Sequence, residues 1–227
     1  MKELLITDIK LQWRQGFWTI YIILSFAFLL ILFNIPIENR QKVSSLFILA
    51  DTSMLGIIFV GALILFEKQQ NVMQSLFVTP LKLRNYLLSK TLSLGLLVFT
   101  MSLFIYLPTS PPDTRIFSII PIVIITSTMF TLMGLGISAK VKSINQYFIL
   151  IIAASMLIVI PTSLFLILDN AKWLIVFPYN AAIDLLLNPI ENLSAINLFA
   201  DVILLIGWTF ISYLFAYRQF EKSVLTQ

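Results

Sequence analysis

Residues 17–37 read FWTIYIILSFAFLLILFNIPI, a stretch with no charged side chain. About 20 apolar residues of helix cross the hydrocarbon core of a bilayer, so this run is long enough to be a span. Five more runs of that kind follow, at Leu46–Phe66, Tyr86–Leu107, Ile116–Ala139, Ile144–Leu168 and Phe199–Tyr217. Lipid leaves backbone groups unpaired only at high cost, which restricts spanning segments to helices and closed barrels. Barrel strands alternate apolar and polar residues, and these runs do not. The spacing therefore predicts an all-α polytopic membrane protein of six spans in a single transmembrane domain covering residues 1–227. Breakers separate the runs: Asn34 and Pro36, the cluster from Pro108 to Pro112, then Pro178 and Pro189.

Composition agrees. Of 227 residues, 59% are hydrophobic and 11% charged, and the mean hydropathy is +0.96. Soluble domains carry nearer a quarter charged residues. The absence of cysteine and histidine excludes disulfides, thiolate chemistry, cysteine or histidine metal sites and any Ser-His triad. No catalytic set and no metal set is expected. The leading stretch MKELLITDIKLQWRQGFW lacks the pattern of a cleaved signal peptide, so the first run is expected to be retained. With the N-terminus in the cytoplasm, eleven of the fifteen basic residues fall on inside segments, as the positive-inside rule requires. Only Arg40, Lys42, Arg115 and Lys172 fall outside, and both termini are cytoplasmic. The net charge of +4 reflects this topology and marks no nucleic-acid surface.

Three segments are neither span nor tight turn. In residues 3–15, Leu5, Ile6, Ile9 and Trp13 share one helical face with Lys10 and Arg14 away from it, which suits a helix lying in the membrane interface. The connector FEKQQNVMQSLFVTPLKLRNYLLSK (66–90) offers Asn71 as an N-cap. Val72, Met73, Leu76 and Phe77 follow as a short apolar stripe, and Thr79-Pro80 reads as a second helix start. Water gives no reason to place Met73, Leu76 and Phe77 there, so they cover the protein's own underside or dock into a partner. Residues 169–198, with Trp173, Tyr179 and two prolines, are expected to form short helices at, or dipping into, the outer interface.

Six spans, an interfacial N-terminal helix and a short helix after span two together resemble the exporter-type (second class) permease subunits of ATP-binding-cassette transporters. The resemblance covers the whole chain in layout, and small drug-export permeases such as those for fluoroquinolone efflux look similar. It is sharpest from Phe66-Glu67-Lys68 through Leu76-Phe77-Val78-Thr79-Pro80-Leu81 to Tyr86-Leu87-Leu88-Ser89-Lys90. Asn71 stands where the family commonly has Gly, and Gln74 where an acidic residue is common. The resemblance implies that the connector is a coupling helix seated on a separate cytoplasmic ATPase, with Glu67, Asn71, Val72, Met73, Leu76, Phe77 and Pro80 as coupling residues and Glu67 in a hinge ion pair. ATP and Mg would be held by that partner, since this chain has no GxxxxGK[ST] phosphate loop and too few residues after Tyr217 for a nucleotide-binding domain. It also implies a prokaryotic cell membrane and export of a drug, lipid or other small amphipathic substrate. A six-span chain encloses little space, so a homodimer or a sister permease is expected.

Polar groups inside the membrane are the default functional candidates. Ser127, Thr131, Gly134 and Ser138 fall on one face of the fourth span, as a wall of the substrate path, a dimer seam or an ordinary small-residue packing face. Asp51 in span two is a further path candidate. Asp201, at the start of span six, reads as a helix N-terminal anion. Pro161 is expected to kink span five. Two other classes stand beside the transporter: a membrane-embedded enzyme using Asp51 and Asp201, and a non-transporting assembly subunit.

Overall fold

Helix follows wherever the sequence runs apolar. A computed structural model of the chain describes residues 2–70, 72–73, 81–109, 115–167, 172–187 and 195–225, and no strand occurs among them. The elements are α1 (Lys2–Arg14), α2 (Phe17–Phe33), α3 (Ile37–Ala50), a π-helical turn (Asp51–Leu55), α4 (Gly56–Gln69), α5 (Leu83–Thr109), α6 (Arg115–Lys140), α7 (Ile144–Ile167), a 3-10 turn (Lys172–Val176), α8 (Pro178–Leu187) and α9 (Ala195–Leu225). Five rods are long and apolar enough to cross a membrane: Ile37–Gln69, Leu83–Thr109, Ile119–Lys140, Ile144–Thr162 and Ile196–Ser223. Taken together as one bent span, α1 and α2 make a sixth. The protein is an all-α polytopic membrane protein.

Several expected boundaries move. The first run stops at Phe33, where Asn34 caps it, and the helix resumes at Ile37 behind Pro36. Ile37, expected to end the first span, and residues 38–45, expected as an outside loop, instead begin the second rod, which passes through α3, the π-turn and α4. The last rod continues beyond Tyr217 to Leu225, about 46 Å at 1.5 Å per residue, longer than the hydrocarbon core. The 3-10 turn and α8 are short helices of the kind expected, and α8 dips inward. Ala181, Ala182, Ile183 and Leu185 of α8 are buried in a cluster with Leu49, Ile122 and Leu205, plugging the end of the bundle remote from the connector.

Between α1 and α2 the chain bends by 64°. Gly16 makes the bend with φ +79°, a left-handed conformation that ends helices and that a Cβ disfavours.

The middle of the bundle is α6, which packs against α9, α4 and α5. Small residues bring these helices close. A Cβ on Gly134 would stand 3.1 Å from Ile57 of α4, and one on Gly61 would land on the Tyr147 ring. Outer faces stay apolar: Ile23, Phe26 and Leu30 of α2, Ile149, Ile152 and Met156 of α7, and Phe199, Ile203 and Phe210 of α9 are exposed. Lipid solvates such faces at no cost, whereas water would not.

Candidate functional site

At the connector end of the bundle three helices meet around a buried charge network. The last turn of α4 holds Glu67 and Lys68, α5 begins about two turns before Lys90, and α1 lies across both. Asp8, Glu67 and Lys90 are 5%, 4% and 1% exposed. The Lys90 ammonium donates to Asp8 Oδ1 at 2.6 Å and to Glu67 Oε1. The remaining carboxylate oxygens are also filled. Tyr86 Oη donates to Glu67 Oε2 at 2.7 Å, and Ser89 Oγ to Asp8 Oδ2 at 2.6 Å. The ammonium also lies 5.4 Å from the centre of the Tyr86 ring. One turn further along, Gln12 Nε2 donates to Ser93 Oγ at 2.9 Å.

Sequence spacing explains why these groups converge. Asp8 and Gln12 are four apart on α1, and Ser89 and Ser93 are four apart on α5, so each pair occupies one helix face. Tyr86, Ser89 and Lys90 fall within a little over one turn. A carboxylate in the last turn of α4 faces the wrong end of that helix's dipole, and Lys90 with the Tyr86 hydroxyl offsets this.

Lys68 does something separate. Its ammonium donates to the carbonyls of Ser138 and Ala139 at 2.8 Å each and of Val141 at 3.1 Å. These are carbonyls that the end of α6 leaves without intrahelical partners, and a cation is favoured there. Two adjacent residues at the root of the connector therefore grip three helices: Glu67 holds α1 and α5 through Lys90, and Lys68 holds α6.

The expected ion pair at Glu67 exists, and its partner is Lys90 on the next helix; the neighbouring Lys68 points away to α6. Asp8 was not singled out in the sequence, where its one signal was charge inside an amphipathic helix; Lys90 stood only as the last residue of the Tyr86–Lys90 motif, with no role given to it. α1 exposes apolar side chains, as an interfacial helix does, and uses its other edge to enter the protein. Its polar Asp8 and Gln12 are buried while Ile6 and Trp13 are exposed, so the polar edge enters the protein.

Of the coupling residues, Met73 is buried in a cluster with Ile64, Tyr86, Leu87 and Phe220, so it covers the chain's own underside. Val72 is half-buried. Asn71, Leu76, Phe77 and Pro80 lie outside the described residues. Phe220 reaches this cluster from α9 and meets the Tyr86 ring at 5.7 Å, tying the last helix to the same end.

Ser127, Thr131, Gly134 and Ser138 are brought together as expected, with the three hydroxyl residues fully buried. Their face is occupied by this chain's own α4 and α5: Gly56 approaches Thr131, Gly95 approaches Ser127, and Gly134 meets Val60 and Ile57. Small residues on α6 thus let α4 close on them within one chain, as an ordinary packing face does. Ser127 and Ser138 return their hydroxyls to the carbonyls of Ile124 and Leu135. Asp51 opens the π-turn, and that turn also packs on α6.

Asp201 lies six residues inside α9, so it is not the N-terminal anion expected. Its carboxyl instead hydrogen-bonds to that of Asp184 on α8. Burial holds the phenol of Tyr179, also on α8, above its ordinary range, and a hydrogen bond with Ser53 opposes this. Pro161 lies within α7, which continues to Ile167. The side chain of Asn180 crosses to it, Nδ2 donating to the Pro161 carbonyl at 3.4 Å.

The family model for the fluoroquinolones export permease protein family matches residues 1–227. Similar curated proteins include the fluoroquinolones export permease proteins of Mycobacterium tuberculosis strains CDC 1551 / Oshkosh and ATCC 25618 / H37Rv. Each is 21% identical over 142 residues, 63% of this chain. The chain spans 60% of the length of those relatives.

Proposed function

This chain belongs to the fluoroquinolones export permease protein family, and from that premise we propose that it is the membrane subunit of an ATP-binding-cassette exporter. Its place is the prokaryotic cell membrane, with both termini and the 70–82 connector in the cytoplasm. A separate ATPase subunit binds ATP and Mg and docks on the connector, and a second permease, identical or a sister chain, completes the pathway. The substrate is a small amphipathic compound, for which the name of the family and of its relatives favours a fluoroquinolone-like drug.

The single observation that supports this reading is the double clamp at the connector's root. Glu67 and Lys68 hold α1, α5 and α6 through occupied polar groups, buried at Glu67 and half-buried at Lys68. A permease driven from outside needs its point of contact joined stiffly to the spans, and an anchoring subunit does not. Met73 is committed to the chain's own core, so docking falls to Leu76 and Phe77. Replacing those two with Asp is expected to abolish co-purification of the ATPase from native membranes while the permease still inserts. Undiminished co-purification would remove the docking assignment.

A further inference from the structure

We propose that Asp51 is a binding site for a lipophilic organic cation inside the membrane-spanning core. Export is taken from the reading above only as the reason such a ligand arrives; the site stands on its own geometry. Asp51 is 2% exposed, and neither carboxylate oxygen has a hydrogen-bond partner. The other buried carboxyls described above are engaged: Asp8 and Glu67 by Lys90, Asp201 by Asp184. Among the described residues no salt bridge reaches Asp51.

The π-turn does not need this carboxyl. Thr52 and Ser53 return their hydroxyls to the Leu49 carbonyl at 2.9 and 2.7 Å, satisfying backbone that the turn disturbs. Single π-turns within α-helices recur at functional sites. α6 packs on the turn and contributes Thr126 and Thr131, both 0% exposed and both with hydroxyls lacking a partner. Tyr21 of α2 lies close enough for its phenol to feel the Asp51 charge, and Tyr179 of α8 bonds the adjacent Ser53. Basic residues on the packed helices sit far along them: Arg40 and Lys42 on α3, Lys68 on α4, Arg84 and Lys90 on α5, Lys140 on α6.

In apolar surroundings a lone carboxyl is carried either as the neutral acid or against a cation. Among the described residues no cation reaches this place, and a bound cation would hold the group as its carboxylate. An inorganic ion demands several oxygen ligands, and no group of three acidic, His or Cys side chains occurs among the described residues. One buried carboxylate amid apolar side chains suits a single positive charge on a hydrophobic body.

Radiolabelled tetraphenylphosphonium binding to the full chain in phosphatidylcholine nanodiscs tests this. The wild type is expected to bind it saturably, and tetraphenylborate, of the same shape and opposite charge, is expected not to compete. Asp51→Asn should weaken binding about tenfold or more, and Asp51→Glu should retain it. A second measurement uses the wild type alone: dicyclohexylcarbodiimide modification of Asp51, read by mass spectrometry, should be suppressed by tetraphenylphosphonium. Equal affinity of wild type and Asp51→Asn, absence of saturable binding, or labelling that the cation leaves unchanged would each overturn the proposal. No ATPase is present in these assays, so their failure leaves the export reading untouched, and loss of ATPase docking leaves the Asp51 site untouched.

Discussion

Taking an ammonium out of water costs several kcal/mol unless anions and acceptors replace its hydration, and Lys90 meets that condition with Asp8 and Glu67. The converse is the sharper statement. Lys90→Met leaves two buried carboxylates facing each other with no cation between them, and should cost about 3–5 kcal/mol. Ser89→Ala removes one hydrogen bond to Asp8 and should cost about 1 kcal/mol. Unfolding of the purified chain in detergent, followed by circular dichroism, checks both. A Lys90→Met protein as stable as wild type would show that the network is not closed as described. Glu67 was legible in the sequence as an ion-pair former. Its partner was not, because Lys90 lies 23 positions away and Asp8 a further 82 from Lys90, with no periodicity linking them.

Elements pack closely here because glycines let them. Tyr147 of α7 lies over Gly61 of α4 and donates its hydroxyl to the Ile57 carbonyl at 2.6 Å. Gly61→Ala forces that ring away, losing both packing and hydrogen bond, and should destabilise by about 2–4 kcal/mol. Tyr147→Phe loses the bond alone and should cost about 1 kcal/mol. If both variants melted together, the ring would not be seated on Gly61. The α1 helix teaches a different lesson. Its apolar wheel, with Ile6 and Trp13, predicted a helix correctly, yet the face that the protein uses holds Asp8 and Gln12. In a soluble protein an amphipathic helix buries its apolar side. At a membrane the apolar side has lipid to meet, which frees the polar side for a polar groove.

Across the whole molecule the two ends differ. The connector end holds the charge clamp, the Met73–Phe220 cluster and the end of α9; the opposite end is plugged by α8. Which end faces the cytoplasm is testable cleanly because the chain has no cysteine, so an introduced thiol has no background. A membrane-impermeant maleimide should label Glu38→Cys on intact cells, and Lys82→Cys only after the membrane is opened. Both side chains are exposed. The reverse pattern would remove the connector from any cytoplasmic ATPase.

Hydropathy and the breakers at Asn34, Pro36 and Pro108 determined by themselves that this chain is helical, where most helices lie, and that it belongs in lipid. Those properties depend on the solvent each residue meets and on local backbone chemistry, both of which are written along the chain. Tertiary structure alone decided that residues 37–45 join the second rod, that Lys68 caps α6 while Glu67 takes Lys90, that the small-residue face of α6 closes on α4 and α5, and that Asp51 is left without a partner. Each of those outcomes depends on which distant side chains arrive at one point, and helix periodicity carries no information about that.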